Sequence, residues 1–559
     1  MSELLKQIIH DANSDSIQHI CECIPLCTQL IYESQMGMFA KKIIPILNSL
    51  SSEQNSERVI NTLIDSIPLF CENLINEVLE GQFKNGEIRK FTKECEVIEF
   101  VNINIMPILF QFIQFGNINQ MKKSMQALSS VCKLFGKDFL LTQLEFFKNM
   151  NDKVKPEYYH SLTNFLIDIA DDYVTEMYDF IFDSFFKLMN EKHHSIRADA
   201  IKVLVAYIGK IDNENEIKFF TECYIELLAG SNVVKTTAVQ QFPLFLKNIN
   251  EKYINQYCTP ILSALIEDPS QIVKRILQAK SGELITYFGN QSDPRLIQIY
   301  KNSLISQNYE EVYQAAYTFP GVVTSLGRDY FDDFLPYFLS AMNSPNFRVR
   351  RTLAFGLVNY AHFFSPEKLE EICIQFLNDQ PLVSIGILSN LYQILQFIDN
   401  KTSLFFCFQN PLRHHDWRMR KCISEQIRYC FESYDRNDLF QSAIELAKDG
   451  VAEVRKDVVV TLSLLIDEDN FGYVDNLSKS DNFWERWIAA SIFSICELEL
   501  AENNLEILFK LCKDPTLNVK IAAANSISVL CKNLVADESK LALLKMNEEI
   551  RKDPILEGA

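Results

Sequence analysis

The chain has 559 residues, 48% of them hydrophobic, with only 16 Gly and 17 Pro. This is ample apolar material for a continuous core, and so few turn formers suit a mostly helical chain. A formal net charge of -19, from 54 basic and 73 acidic residues, argues against general nucleic-acid binding, which needs cations against phosphate. The opening MSELLKQIIHDANSD has acidic and amide residues where a secretion signal needs an apolar run. No stretch reads as the roughly 18 to 20 apolar residues of a membrane span, so no membrane insertion is expected. The 15 cysteines are scattered without a C-x-x-C pair. Even Cys21, Cys23 and Cys27 read as small apolar residues of a reducing compartment. The expected location is the cytoplasm, with nuclear entry left open although no basic signal is visible.

The N-terminal third is irregular. Helical hairpins are expected with turns before Ile17, Val59, Met121 and Tyr158, and with Pro45 and Pro107 in first helices. The step of 62 from 59 to 121 is too long for one hairpin. The excess lies in the charged stretch Gly81 to Glu99, read as a loop or extra helix.

From residue 196 an apolar residue followed by a basic or polar one recurs after each short polar turn. The instances are Ile196-Arg197, Val234-Lys235, Val273-Lys274, Val312-Tyr313, Val349-Arg350, Val383-Ser384, Met419-Arg420, Val454-Arg455 and Val519-Lys520. From 196 to 454 the steps are 38, 39, 39, 37, 34, 36 and 35, and the last interval of 65 holds another copy near Glu485-Arg486. Such a period marks a repeat array of helical hairpins.

The unit from Asp329 to Phe364 shows the design. Phe331, Phe334, Leu335, Phe338, Leu339 and Met342 share one helical face. Asn343 to Asn346 break the helix. Val349, Leu353, Ala354, Leu357 and Val358 then give a second helix. Pro336 inside the first helix removes a backbone donor and should bend it, as Pro260 should in its own repeat. The basic residue after the valine can lean on the acidic or carbonyl groups of the neighbouring turn. This is the pattern of a HEAT repeat. The expected fold is an all-α, right-handed α-solenoid of about 14 HEAT repeats. Its expected divisions are 1–78, an insertion at 79–100, 101–310, 311–535, and a capping helix with a tail at 536–559.

Motifs for chemistry are missing. No phosphate-binding glycine loop, H-E-x-x-H helix or G-x-S-x-G elbow occurs. His193-His194 and His414-His415 fall in turns and read as solvated residues. No catalytic residue, cofactor or metal is expected. The three tryptophans, Trp417, Trp484 and Trp487, all lie at second-helix starts beside Arg418, Arg420 and Arg486. Two readings stay open: an exposed partner surface, because Trp and Arg are enriched among interface hot spots, or a cover that each tryptophan packs over the core of its own turn.

Several runs resemble a known family. They are Tyr317-Thr318-Phe319-Pro320-Gly321-Val322, Leu326-Gly327-Arg328, Val349-Arg350-Arg351-Thr352-Leu353-Ala354-Phe355, Ile385-Gly386-Ile387-Leu388 and Trp417-Arg418-Met419-Arg420 with Glu425-Gln426. Over roughly residues 310 to 460 they resemble the HEAT-repeat regulatory subunits of 2A-like serine/threonine phosphatases, the phosphatase 4 regulatory subunit 1 family most of all. Trp417-Arg418-Met419-Arg420, and Asp514-Pro515 through Asn518-Val519-Lys520, also resemble the type 2A scaffold subunit. The resemblance implies a non-catalytic scaffold holding a 2A/4-class catalytic subunit, with a further regulatory subunit or substrate elsewhere. Carried over by position, the partner-binding residues are Trp417, Arg418, Phe483, Trp484, Leu517 and Asn518, and Arg486 joins them from its place beside the tryptophans. Ala452 stands where that scaffold family has an aromatic residue, and the first 190 residues match neither group well. The alternative reading is a transport or coat adaptor of karyopherin or adaptin type, binding a small GTPase or cargo.

Overall fold

In the computed structural model, the polar turns separate helical hairpins as the period requires. The structure describes residues 3–80, 94–148, 156–173, 177–399 and 411–533, apart from a few single positions within them, and scattered positions at 401, 404 and 541–548. All regular elements among the described residues are helices. Fourteen second helices follow the repeat markers. They are α1 (Ile17–Glu33), α2 (Glu57–Glu80), α3 (Ile118–Phe135), α4 (Pro156–Tyr173), α5 (His194–Tyr207), α6 (Asn232–Asn248), α7 (Gln271–Phe288), α8 (Tyr309–Leu326), α9 (Phe347–Gly356), α10 (Pro381–Leu388), α11 (Trp417–Gln426), α12 (Ala452–Leu465), α13 (Phe483–Ile492) and α14 (Leu517–Asn533).

The chain divides into two units, Met1–Lys280 and Ser281–Ala559, with the boundary inside α7. Each unit is an all-α HEAT-repeat stack. In the first unit α1, α2, α3, α4, α5 and α6 pack in succession, and in the second α8 to α14 do the same. The packing follows from the marker residues. Ile196, Val234, Val273, Val349, Val383, Val454 and Val519 are each at most 1% exposed. Each fills the space between its own first helix and its neighbours. Buried tyrosines keep their hydroxyls satisfied: Tyr300 donates to the Ala315 carbonyl at 2.6 Å and Tyr360 to that of Leu353 at 3.1 Å. Glycine permits close approach between second helices. A Cβ on Gly356 would lie 2.7 Å from Pro320 Cγ, and one on Gly386 would lie 2.9 Å from Ala354 Cβ.

Three prolines take two roles. Pro336 lies inside its helix, Arg328–Met342. Pro107 and Pro260 instead open helices, at the first turns of Met106–Phe115 and Thr259–Glu267, where no backbone donor is lost. A wide five-residue helical turn, Ile254–Cys258, absorbs the break before Pro260. Within the expected insertion, Glu94–Asn104 is a helix, while residues 81–93 lie outside the described residues, as does most of the expected capping segment. Val97–Phe115 does reach the length and mean hydropathy (1.4) of a membrane-crossing helix, against the expectation above. It is split at Ile105, and Met106, Ile108, Leu109, Phe112 and Ile113 are buried in the helix that packs on α3.

Arginines after the markers tie one repeat to the next. Arg350 donates through Nε and Nη2 to Asp379 at 2.6 and 2.8 Å, and through Nη1 to the Ser344 carbonyl at 2.6 Å. Arg486 does the same with Asp514, at 2.6 and 3.2 Å, and with the Ser480 carbonyl at 2.8 Å. Arg420 repeats the pattern with Asp449 and the His414 carbonyl, and Lys235 reaches Asp268 at 2.6 Å in the first unit. Burial pushes the Asp449 and Asp514 carboxyls up, but their arginine partners and a backbone amide outweigh it, so both end below the ordinary carboxylate range.

A carboxylate with a lowered folded pKa stabilises the fold above its unfolded pKa, about 3.9, and loses that stabilisation as pH falls through the folded value. The ladder is therefore expected to be intact at neutral pH and to open only below about pH 4. Arg420→Met should leave Asp449 buried without its cation. The expected local cost is about 2 to 3 kcal/mol. Amide hydrogen exchange should quicken in α11 and α12 and leave α3 unchanged, since contacts are between neighbours.

Candidate partner-binding surface

The turns that open α11 to α14 are built by short polar caps. The Asp416 carboxylate accepts the Arg418 amide at 3.0 Å, which starts α11 at Trp417. The Arg418 guanidinium lies 5.2 Å from the Trp417 ring centroid and 3.6 Å from Asp416, with its side chain 61% exposed. It is held over the indole but open to solvent. Trp417 itself is half-buried.

On α13 Phe483 is exposed and meets Trp484 edge to face, with centroids 5.4 Å apart. Trp484 in turn covers the guanidinium of Arg455 on α12, 5.0 Å from its ring centroid. Ala452, Arg455, Phe483, Trp484, Trp487 and Asn518 border a groove of about 270 Å³. The structure thus brings Phe483, Trp484 and Asn518 together. Trp417 and Arg418 stay on their own turn. Leu517 is exposed but outside the groove's lining.

The three tryptophans are half-buried, between the two readings that the sequence leaves open. One expectation changes. Arg486 is engaged within the array: Asp514, the Ser480 carbonyl and Thr516 Oγ1 take its donors, and hydrogen bonding to Asp514 holds the guanidinium pKa above its usual value. Arg455, which the sequence offers only as a repeat marker, is the arginine under the tryptophan. The readable signal was the next turn, which has no aspartate at the matching position.

A second groove, of about 740 Å³, gathers two of the runs that carried the family resemblance, 317–322 and 349–355. Tyr317, Pro320, Arg351, Thr352 and Phe355 all border it. Arg351 stacks on Phe355 at 5.3 Å, and Tyr317 is 71% exposed.

Among the described residues no group of three His, Cys, Asp or Glu side chains is placed to hold a metal ion. His414 Nδ1 accepts the Asp416 amide at 3.0 Å and so belongs to the turn. Burial pushes the Cys23 thiol up to about 11 and the Cys27 thiol up to about 12, away from nucleophilic thiolate chemistry.

No family model matches the chain. Over 153 residues it is 29% identical to serine/threonine-protein phosphatase 4 regulatory subunit 1 of Homo sapiens, a match that spans 25% of this chain and 16% of that protein. The Mus musculus protein gives the same figures. Solved HEAT-type structures cover nearly the whole chain. Kap121p aligns at 12% identity with TM-score 0.55, over 99% of this chain and 65% of its own. Kap95p, from a structure titled for its effect on the switch loops of RanGDP, aligns at 12% identity with TM-score 0.56, over 99% of this chain and 80% of its own. At such identity this likeness concerns the fold.

The geometry separates surface from support. Phe483→Ala and Leu517→Ala should each change stability by less than about 1 kcal/mol. Trp484→Ala uncovers Arg455 and should cost about 2 kcal/mol or more. Chemical denaturation of the three variants beside the parent chain checks this order.

Proposed function

We propose that the chain is a non-catalytic scaffold or regulatory subunit that holds the catalytic subunit of a 2A/4-class serine/threonine phosphatase. The observation that carries this reading is the partial relation to phosphatase 4 regulatory subunit 1. The cluster of Phe483, Trp484 and Asn518, with Trp417 and Arg418 together on the turn that opens α11, supports it. Leu517 joins the surface as an exposed apolar contact, and Arg486 acts from beneath as a rung. The mechanism is geometric. Aromatic faces and Arg418 dock the catalytic subunit, and the groove around Tyr317 and Arg351 takes a substrate or a further subunit. The chain supplies no bond-breaking group of its own. Such a subunit works in the cytoplasm and can accompany its partner into the nucleus.

A second reading is a transport adaptor that binds a small GTPase or cargo. The karyopherin-like architecture over the whole chain favours it. Affinity purification from the native cell separates the two: a phosphatase catalytic chain supports the first, and a Ran-like or Arf-like GTPase supports the second.

Trp417→Ala combined with Arg418→Asp should weaken capture of the catalytic subunit by about 2 kcal/mol or more, roughly thirtyfold. Binding is measured with the purified subunit, and circular dichroism checks that the variant is folded. A folded double variant that captures the subunit undiminished rules these two residues out.

A further inference from the structure

In the second unit one rung of the ladder is incomplete, and it lies under the tryptophan groove; in the first unit Arg197 also has a buried Nε without a hydrogen-bond partner. Each ladder arginine donates through Nη1 to the carbonyl six residues before it: Arg350 to Ser344, Arg420 to His414, Arg455 to Asp449 and Arg486 to Ser480. The other edge of the guanidinium reaches the aspartate of the next turn, Asp379, Asp449 or Asp514. For Arg455 the matching position, six before Arg486, is Ser480.

Ser480 keeps half of the aspartate's role. Its Oγ accepts the Asn482 amide at 3.1 Å, as Asp449 accepts Val451 and Asp514 accepts Thr516, each at 2.8 Å. It has no carboxylate to offer. Arg455 is only 8% exposed, yet its Nε has no hydrogen-bond partner. Burial pulls its pKa below the usual guanidinium value, with Asp449 opposing, whereas Arg350, Arg420 and Arg486 are raised by their aspartates. A buried guanidinium edge without a hydrogen-bonded carboxylate is costly, and the nearby Asp449 offers Arg455 only its backbone carbonyl. The Trp484 ring lies over the guanidinium at 5.0 Å, and both residues line the groove.

We infer that the groove between α12 and α13 is a receptor for a carboxylate side chain, Asp or Glu, of a bound partner protein, which packs against Trp484 and completes the missing rung on Arg455. The planar fork suits a carboxylate, the group it meets in every complete rung. A phosphate dianion would want a second free cation, and the nearby Lys456 is paired with Glu453 at 3.0 Å. This deepens the reading above: the receptor stands on geometry alone, and only the partner's identity as a phosphatase rests on that reading.

The test uses the full chain. In a Trp417→Phe, Trp487→Phe background, Trp484 reports by fluorescence. Phenylbutyrate, a small aryl carboxylate, should quench it saturably in the millimolar range, and the neutral amide of the same acid should not. Ser480→Asp supplies the missing carboxylate from within. It should raise the melting temperature and abolish quenching. Arg455→Gln should abolish quenching too. In the parent background, Ser480→Asp should weaken capture of the catalytic subunit about tenfold or more. Equal quenching by the amide, stronger competition by inorganic phosphate than by chloride, persistent probe binding in Ser480→Asp, or unchanged capture by that variant would each overturn the inference. If the probe behaves as expected but the parent chain captures no phosphatase, the receptor stands and the phosphatase reading falls.

Discussion

The clasp of one arginine across two turns sets the register of the repeats. Its Nη1 fixes the turn of its own repeat and its Nε and Nη2 fix the turn of the next, so two hairpins cannot slide without breaking both. The aspartates are nearly buried, with side chains 4% and 5% exposed at Asp449 and Asp514. Desolvation offsets much of the ionic attraction at such sites. The ladder therefore contributes more to the uniqueness of the packing than to net stability. The glycine contacts act at the same level, since Gly356 against Pro320 and Gly386 against Ala354 let second helices close to backbone distance.

The second helices were legible because the marker residue has one job. An apolar side chain at that position must fill the space between hairpins, and burial at each copy from 196 to 454 left a sequence signal every 34 to 39 residues. The first helices were less legible. A proline reads alike whether it bends a helix, as expected at Pro260, or opens one, as found there. Val97–Phe115 shows the reverse limit: the break at Ile105 that makes it two core helices is not visible in its apolar composition.

The site was legible in part for a similar reason. Tryptophan and arginine at a turn signal a surface, but the signal does not separate an arginine engaged in the ladder from one open to solvent. Arg486 and Arg418 look alike in sequence. Only the aspartate in the following turn, Asp514, commits the first to the array. The same test, applied to Arg455 and Ser480, would have marked the groove.

Ladder and surface thus draw on one chemistry. A complete rung consumes its guanidinium, whereas a vacant one leaves donors already fixed in the geometry a carboxylate needs. Arg455 is held by the Asp449 carbonyl and Trp484, so a ligand that reaches it orders little more side chain. Arg418, with most of its side chain in solvent, loses rotamer freedom on contact. In the proposed complex the two cations would divide the work. The exposed one steers approach and responds to salt, and the buried one slows dissociation. Adding an aspartate at position 480 would close the solenoid on itself at the cost of that second role, which explains why a scaffold can leave one rung of a stabilising ladder unfilled.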